Sequence, residues 1–138
     1  MSGQEGKNQI CNRIRDVFSS LPLLRVAYLY GSFLSRDDFR DIDIALLVGE
    51  NDCSEDPLAY ASRVADLLGT ALGFRYECDV RVINHEPVWF QYEVISSGRV
   101  VFVRDEDDRI DFETRVLVEY QDIKFMYDLF DREYLAQA

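Results

Sequence analysis

The sequence predicts one small α/β (α+β) domain, in which a small mixed β-sheet is flanked by helices. Its 138 residues are the size of a single compact domain. Hydrophobic residues make up 48% of the chain and charged residues 30%, a balance that is typical of globular proteins and excludes a largely disordered chain. Short apolar runs occur between segments of helical periodicity, so helices should cover a sheet of a few strands.

The first half of the chain predicts a helix and two strands. Apolar residues three and four positions apart predict a helix over residues 8–21. The apolar and aromatic run at 26–30 predicts a buried strand, which ends at Gly31 and is followed by a turn or short helix. Alternation of apolar residues over 41–48 predicts a second strand, whose other face carries two aspartates.

The second half predicts three helices and two strands. Residues 57–73 begin with proline, end with glycine and carry a helical pattern between them. We expect a third strand at 77–83, a helix at 87–98 that a glycine ends, and a fourth strand at 99–104. After an acidic turn, a final helix at 109–135 has apolar and aromatic residues at spacings of three and four. We expect most of that stripe to be buried, with an exposed remainder that could contact a partner helix, and we expect the aromatic residues of the preceding helix to belong to the core.

The charge balance excludes some classes of partner. Twenty-six acidic residues against fifteen basic ones give a formal net charge of −11, which opposes direct nucleic-acid binding. Every apolar run is shorter than the roughly 20 residues that a membrane-spanning helix needs. The N-terminus lacks the apolar core of a secretion signal. We therefore expect a cytoplasmic protein with no membrane partner.

Cysteine and histidine usage limits the kinds of metal site. The three cysteines, Cys11, Cys53 and Cys78, are odd in number and far apart, so we expect neither a disulfide framework nor a zinc site. They are expected to pack as small apolar residues. His85 is the only histidine, and a metal site would therefore have to use oxygen ligands.

The residues best suited to chemistry lie around the first two strands. Gly31 and Ser32 end one strand, where a glycine lets backbone amides approach a ligand and a hydroxyl adds a donor, so the pair suits a phosphate. Asp41 and Asp43 share one face of the next strand, about 7 Å apart at the backbone, and can bind one or two Mg²⁺ ions. Such ions neutralise a triphosphate and hold the attacking and leaving oxygens of a displacement.

A third acid strengthens the pattern. Asp79 lies on the polar face of the third strand and joins the two aspartates if that strand pairs beside the second. Three acids around a pair of metal ions leave one free to accept a proton. Glu77, two residues earlier on the same face, is a rival for this role. Each acid alone is equally compatible with a solvent-exposed sheet face, and it is their order after Gly31 and Ser32 that favours a catalytic site.

This order of residues resembles the polymerase-β-like nucleotidyltransferase superfamily, and the short chain is similar to its minimal nucleotidyltransferase (MNT) branch over about residues 25–83. The resemblance implies the polymerase-β-like nucleotidyltransferase fold and the transfer of a nucleoside monophosphate from a nucleoside triphosphate to an acceptor. It implies two Mg²⁺ ions as cofactors. The residues implied are Gly31 and Ser32 as nucleotide-binding, Asp41 and Asp43 as catalytic metal ligands, and Asp79 as a catalytic metal ligand and base.

The predicted final helix indicates which group within the MNT branch the chain resembles. It resembles the C-terminal helix of MntA-like antitoxins, which implies ATP as the substrate and a HEPN-domain RNase toxin as the partner, silenced by adenylylation of one of its tyrosines. The single domain, residues 1–138, then has a catalytic core at about 25–104 and a C-terminal helix at about 109–135. Two alternatives stay open. The acceptor could be a small molecule, or the chain could be a non-catalytic antitoxin that blocks its partner by binding.

The chain departs from the family pattern in one segment. Eight residues separate Ser32 from Asp41, fewer than in many members, and the arginine of that segment is displaced. The acids and the Gly-Ser pair are intact, which favours an active enzyme, while the role of Arg36 stays open.

Overall fold

The computed structural model describes residues 3–49 and 55–137, with side chains described for 6–49 and 55–133. Cys53 and most of the predicted polar loop at 49–56 lie outside these ranges. Five helices and four strands follow one another in this part of the chain. In chain order they are α1 Gly3–Ser19, β1 Leu24–Tyr30, α2 Ser32–Ser35, β2 Asp41–Val48, α3 Pro57–Ala71, β3 Glu77–Val82, α4 Val88–Ser97, β4 Arg99–Val103 and α5 Glu106–Gln137.

The four strands form one mixed sheet in the order β3-β2-β1-β4. Strand β1 is antiparallel to both of its neighbours, β2 and β4, whereas β2 and β3 run parallel. Strands β3 and β4 are therefore the two edges of the sheet. The end of β1, the beginning of β2 and the beginning of β3 meet at one end of the sheet, which is where the predicted site residues lie.

Helices cover both faces of the sheet, because β1 and the later part of β2 are buried on both faces. Side chains of α1 and α3 pack on one face against Ile42, Ile44 and Leu46 of β2. Side chains of α4 and α5 pack on the other face in a smaller second cluster. Its buried members are Val26, Tyr28, Ala45, Ile83, Val94, Phe112 and Val116.

The predicted fold class and element order are confirmed, and two helix starts differ from expectation. Helix α1 begins at Gly3, before the apolar pattern from which it was predicted. Helix α5 begins at Glu106, so the segment expected to be an acidic turn is the first turn of a helix. Three carboxylates at 106–108 favour a helix N-terminus, where the helix dipole attracts negative charge.

Two predictions of burial were wrong. Trp89 of α4 is 65% exposed. Among the described side chains of the α5 stripe, only Phe112 and Val116 are buried, while Tyr120 stacks on Tyr92 of α4 at 3.7 Å between ring centroids. Every described side chain from residue 121 onward is exposed. Periodicity marks a helix face as apolar but does not say how far along the helix the domain covers it.

The cysteines with described side chains agree with expectation: Cys11 is buried, Cys78 is half-buried, and both are free thiols. Within the described ranges, no helix has the length and apolar character needed to cross a membrane.

Candidate active site

Strand register brings the predicted acids together at one end of the sheet. On the parallel strands β2 and β3, Asp41 pairs with Glu77 and Asp43 pairs with Asp79. Paired residues on neighbouring strands share a face, so all four carboxylates project from the same side of the sheet. The structure thus places Asp79 beside Asp43 and adds Glu77 beside Asp41.

The local chain path explains why the carboxylates meet. The Glu77 backbone N–H donates to the Arg40 carbonyl at 3.1 Å, and this bond holds the start of β3 against the start of β2. The four acids and Cys78 line an open cavity of about 320 Å³. Asp41, Glu77 and Asp79 are exposed and Asp43 is half-buried. A charged, solvent-accessible cavity of this kind can accept a metal-bound polyanion.

Asp43 occupies the least favourable electrostatic position. Its partial burial raises the pKa of its carboxyl, and the negative charges of Asp79 and Asp41 raise it further, while Arg81 opposes them. A cation between these acids would remove the repulsion. The site therefore favours occupation by positive charge.

Gly31 is required at its position for two reasons. Its φ of 78° and ψ of −153° lie in a region that residues with a side chain rarely adopt. A Cβ atom built at this position would overlap Oδ2 of Asp43. The sequence pattern assigned Gly31 to phosphate contact, and the structure adds that it leaves the space the Asp43 carboxylate fills.

Ser32 follows at the first position of the short helix α2. It is half-buried, and its backbone carbonyl accepts from the Arg36 N–H at 2.9 Å. Phe33, the next residue, is buried against Phe39 and anchors the turn to the core. The turn that presents Ser32 is thus fixed by packing.

Arg36 pairs with Asp38 in the loop that precedes β2. Its Nε and Nη2 atoms donate to the two carboxylate oxygens of Asp38 at 3.0 and 2.9 Å. Both side chains are largely exposed, so this pair organises the loop between α2 and β2. The structure does not bring Arg36 to the acid cluster.

The donor set fits Mg²⁺ in part. Carboxylate oxygens are the ligands that Mg²⁺ prefers, and the raised pKa of Asp43 indicates a site that gains from a cation. Among the described residues, however, no three Asp, Glu, His or Cys side chains converge as a ready metal cage. Mg²⁺ is commonly held by one or two carboxylates together with substrate phosphates. The arrangement therefore fits an ion that arrives with a nucleotide.

A group of aromatic and cationic side chains lies beside the acids and was not assigned a role from the sequence. Tyr30 on β1 pairs with Asp43, and burial together with the Asp43 charge raises the pKa of Tyr30 to about 12. Its ring packs edge-on against Phe90 of α4, at 5.9 Å between centroids. The Arg81 guanidinium lies over the same Phe90 ring at 5.2 Å, and the Trp89 ring packs edge-on against Phe90 at 6.0 Å between centroids.

We call Tyr30, Arg81, Trp89 and Phe90 the aromatic shelf. The alternation of strand β3 already placed Arg81 on the face of Asp79. The approach of α4 to that face depends on tertiary packing, and no local pattern in the sequence indicates it.

Comparison with known proteins gives a family match over most of the chain. Residues 12–107 match the family model described as "Polymerase beta, Nucleotidyltransferase". This segment contains the four strands and every residue of the acid cluster. No curated protein matches the chain.

Solved structures with the same fold include toxin–antitoxin complexes. A chain of the tri-AMPylated Shewanella oneidensis HEPN toxin in complex with MNT antitoxin is 23% identical, with a TM-score of 0.62; the match covers 97% of this chain and 99% of that one. A chain of a toxin–antitoxin structure with AMP-PNP is 23% identical, with a TM-score of 0.67, covering 91% and 98%. A chain of the MntA–HepT toxin–antitoxin structure is 23% identical, with a TM-score of 0.60, covering 96% and 98%.

Proposed function

Because this chain belongs to the polymerase-β nucleotidyltransferase family, we propose that it transfers AMP from ATP to a tyrosine of a partner HEPN-domain RNase toxin, and so acts as the antitoxin. The observation that carries the proposal is the strand register, which sets Asp43 beside Asp79. Asp41 lies two residues before Asp43 on the same face, and the Gly31 turn contacts Asp43. The AMPylated toxin and the AMP-PNP complex among proteins of the same fold support the choice of nucleotide and acceptor.

Each site residue has a role in this reaction. Gly31 and Ser32 bind the triphosphate through backbone amides and a hydroxyl. Asp41 and Asp43 hold Mg²⁺, with Asp79 as a further ligand; the metal, when bound, neutralises the phosphates and stabilises the charge that develops during transfer. Asp79 also accepts the proton of the attacking tyrosine hydroxyl.

The strand order gives the direction of attack. Gly31 and Ser32 lie at the end of β1, Asp43 lies on β2, and Asp79 lies on the edge strand β3. In an in-line displacement the nucleophile attacks opposite the leaving group. With pyrophosphate held on the β1 side, the tyrosine oxygen approaches from the side of β3, which is an edge strand of the sheet. Arg81, the member of the aromatic shelf that lies on β3, borders this approach.

The covalent change balances without a further reactant. The tyrosine oxygen forms a bond to the α-phosphorus of ATP as the bond between that phosphorus and the bridging oxygen to the β-phosphate breaks. Pyrophosphate leaves, and the hydroxyl proton passes to Asp79. The product is an AMP ester of the tyrosine.

The test is transfer to a partner protein. The purified chain, ATP and Mg²⁺ are incubated with the HEPN-domain protein encoded beside it, and intact mass is measured. We expect the partner to gain about 329 Da per AMP, the mass of an adenylyl group that replaces one hydroxyl proton. The matched control is Asp41→Ala with Asp43→Ala. This variant should fold normally, because both side chains lie on a face in contact with solvent, and it should transfer no AMP.

The two alternatives predict different results. A chain that neutralises the RNase without mass gain, and does so equally with both aspartates replaced, would be a blocking protein. AMP transfer to a small alcohol or amine, with no change in the partner, would identify a small-molecule enzyme.

A further inference from the structure

The second half of α5 extends beyond the rest of the domain, and the apolar residues of this half are exposed. The helix has 32 residues, so it is about 48 Å long. Its first half packs on the sheet through Phe112 and Val116. From residue 121 to residue 133 every side chain is exposed. We call residues 118–133 the distal segment.

The apolar side chains of the distal segment lie on two faces. At about 100° per residue, the first face continues the buried stripe of Phe112 and Val116. The second face lies about 130° further round the helix. The first consists of Ile123, Met126, Tyr127 and Phe130, and the second of Val118, Phe125 and Leu129, and all of them are at least 39% exposed.

Two apolar faces set a geometric condition on whatever covers the helix. A helix that lies on a flat surface buries one stripe of about 100° and keeps the remainder polar. The two faces here, with the narrow sector between them, span about 200° of the helix. Only a groove with two walls, or two separate elements, can cover both. A stretch of this size with uncovered aromatic side chains is typical of a protein-binding surface.

Charge decides between a partner and a second copy of this chain. Residues 119–133 contain five acids, namely Glu119, Asp122, Asp128, Asp131 and Glu133, against two bases, Lys124 and Arg132. The whole chain carries −11. Two copies would bring like charges together along the helix, whereas a basic groove would attract it.

We propose that the distal segment docks into a two-walled apolar groove, bordered by basic residues, on the protein acceptor, each wall contacting one of the two apolar faces. The inference rests on the proposed function only for the identity of the acceptor, the HEPN-domain protein. Docking here anchors the partner at α5 while the aromatic shelf and the β3 edge receive its tyrosine. This is the helix-in-groove mode of recognition.

The test compares the two faces in the full-length chain. The first-face variant is Met126→Ala with Phe130→Ala, and the second-face variant is Phe125→Ala with Leu129→Ala. The control, Gln121→Ala with Lys124→Ala, truncates two side chains of the polar face. Alanine preserves helix propensity, and circular dichroism checks that the helix is retained.

Binding to the neighbour-encoded HEPN-domain protein is measured by calorimetry without ATP, with Asp41→Ala and Asp43→Ala in every variant so that no transfer occurs. We expect each face variant to weaken the complex by at least about tenfold and the control to leave it within about threefold. Loss with only one face variant would indicate docking on a flat surface and overturn the proposal, as would no loss with either.

Two further outcomes are informative. If the chain alone is a dimer by light scattering, and both face variants make it a monomer, a second copy covers the segment and the proposal fails. If the complex forms as expected but the unaltered chain adds no AMP, the docking inference stands and the proposed catalytic function fails.

Discussion

Gly31 leaves the space that the Asp43 carboxylate occupies: a Cβ atom at residue 31 would overlap Oδ2 of Asp43. The glycine follows β1 and the aspartate is in the neighbouring strand β2, so the Gly31 turn and the acid cluster are coupled by direct steric contact. A side chain added at residue 31 must therefore displace the Asp43 carboxylate.

Gly31→Ala tests this coupling. The substitution places a side chain at φ 78° and pushes on Asp43. We expect a loss of about 1–3 kcal/mol in the free energy of unfolding and at least about tenfold weaker ATP binding in the presence of Mg²⁺. Calorimetric titration and denaturant unfolding measure the two quantities.

The matched control is Gly73→Ala. Gly73 also has a positive φ, 68°, but a Cβ there would meet nothing within 4 Å. The control should lose stability for the same backbone reason and bind ATP normally. Equal loss of ATP binding in both variants would mean that the contact with Asp43 is irrelevant.

Asp43→Asn should make the metal-free chain more stable at pH 7. The pKa of this carboxyl is raised in the folded chain, so its ionisation opposes folding. That penalty is absent below the unfolded-state pKa of about 3.9 and develops as the pH rises through the raised folded-state pKa. The variant removes the charge and should show a higher Tm in EDTA.

The same variant should lose at least about 100-fold in AMP transfer with Mg²⁺. Mg²⁺ with ATP should raise the Tm of the unaltered chain and have little effect on the variant. Asp41→Asn should raise the Tm in EDTA by less, because Asp41 is exposed and is only one of the two negative charges that act on Asp43. A lower Tm for Asp43→Asn in EDTA would contradict the electrostatic argument.

Asp79 and Glu77 form a matched pair on one face of β3. Asp79 pairs directly with the half-buried Asp43, whereas Glu77 pairs with Asp41, two residues earlier on β2. If Asp79 is the base, Asp79→Asn should reduce the transfer rate by about 10²–10⁴-fold, and Glu77→Gln should reduce it by less than about tenfold. Single-turnover kinetics give both rates. The reverse order would assign the base to Glu77.

The aromatic shelf should affect the acceptor more than the nucleotide. Because in-line attack places the tyrosine on the β3 side, Arg81→Met and Trp89→Ala should raise the KM for the partner protein by about 5–50-fold and change the KM for ATP little. Ile110→Ala is the control, since Ile110 is also exposed, at 47%, and lies near the start of α5, which follows the end of the sheet opposite the acids. A rise confined to the KM for ATP would instead place Arg81 against the phosphates.

Much of the fold could be predicted from local patterns. Strand β2 was predicted with its observed ends, because its alternation of apolar residues specifies both the strand and its buried face. Pro57 marked the start of α3 for a similar reason, since its fixed φ suits the first helical turn. In these elements the signal lies within the residues that form them.

The rest depends on pairing between distant segments. The contact of Gly31 with Asp43, and the place of Arg81 above Phe90, follow from strand register and from the position of α4, neither of which a local pattern records. The apolar stripe on α5 predicts a mostly buried face with an exposed remainder, but the size of that remainder could not be predicted, because a helix that contacts a partner and a helix in its own core have the same periodicity. That Gly31, Ser32, Asp41, Asp43 and Asp79 carry out transfer stays a prediction.

The position of β3 at the edge of the sheet has a consequence for how this chain avoids pairing with other strands. An edge strand offers unpaired backbone groups to any other strand, and charged side chains are a common protection against aggregation. On β3 that protection is provided by Glu77, Asp79 and Arg81, the residues that border the proposed reaction. Replacement of these charged residues by apolar ones would therefore remove the proposed activity and also expose an aggregation-prone edge strand. Retention of these charges therefore need not reflect catalysis alone, and inactive variants should be made with Asn or Gln rather than with aliphatic residues.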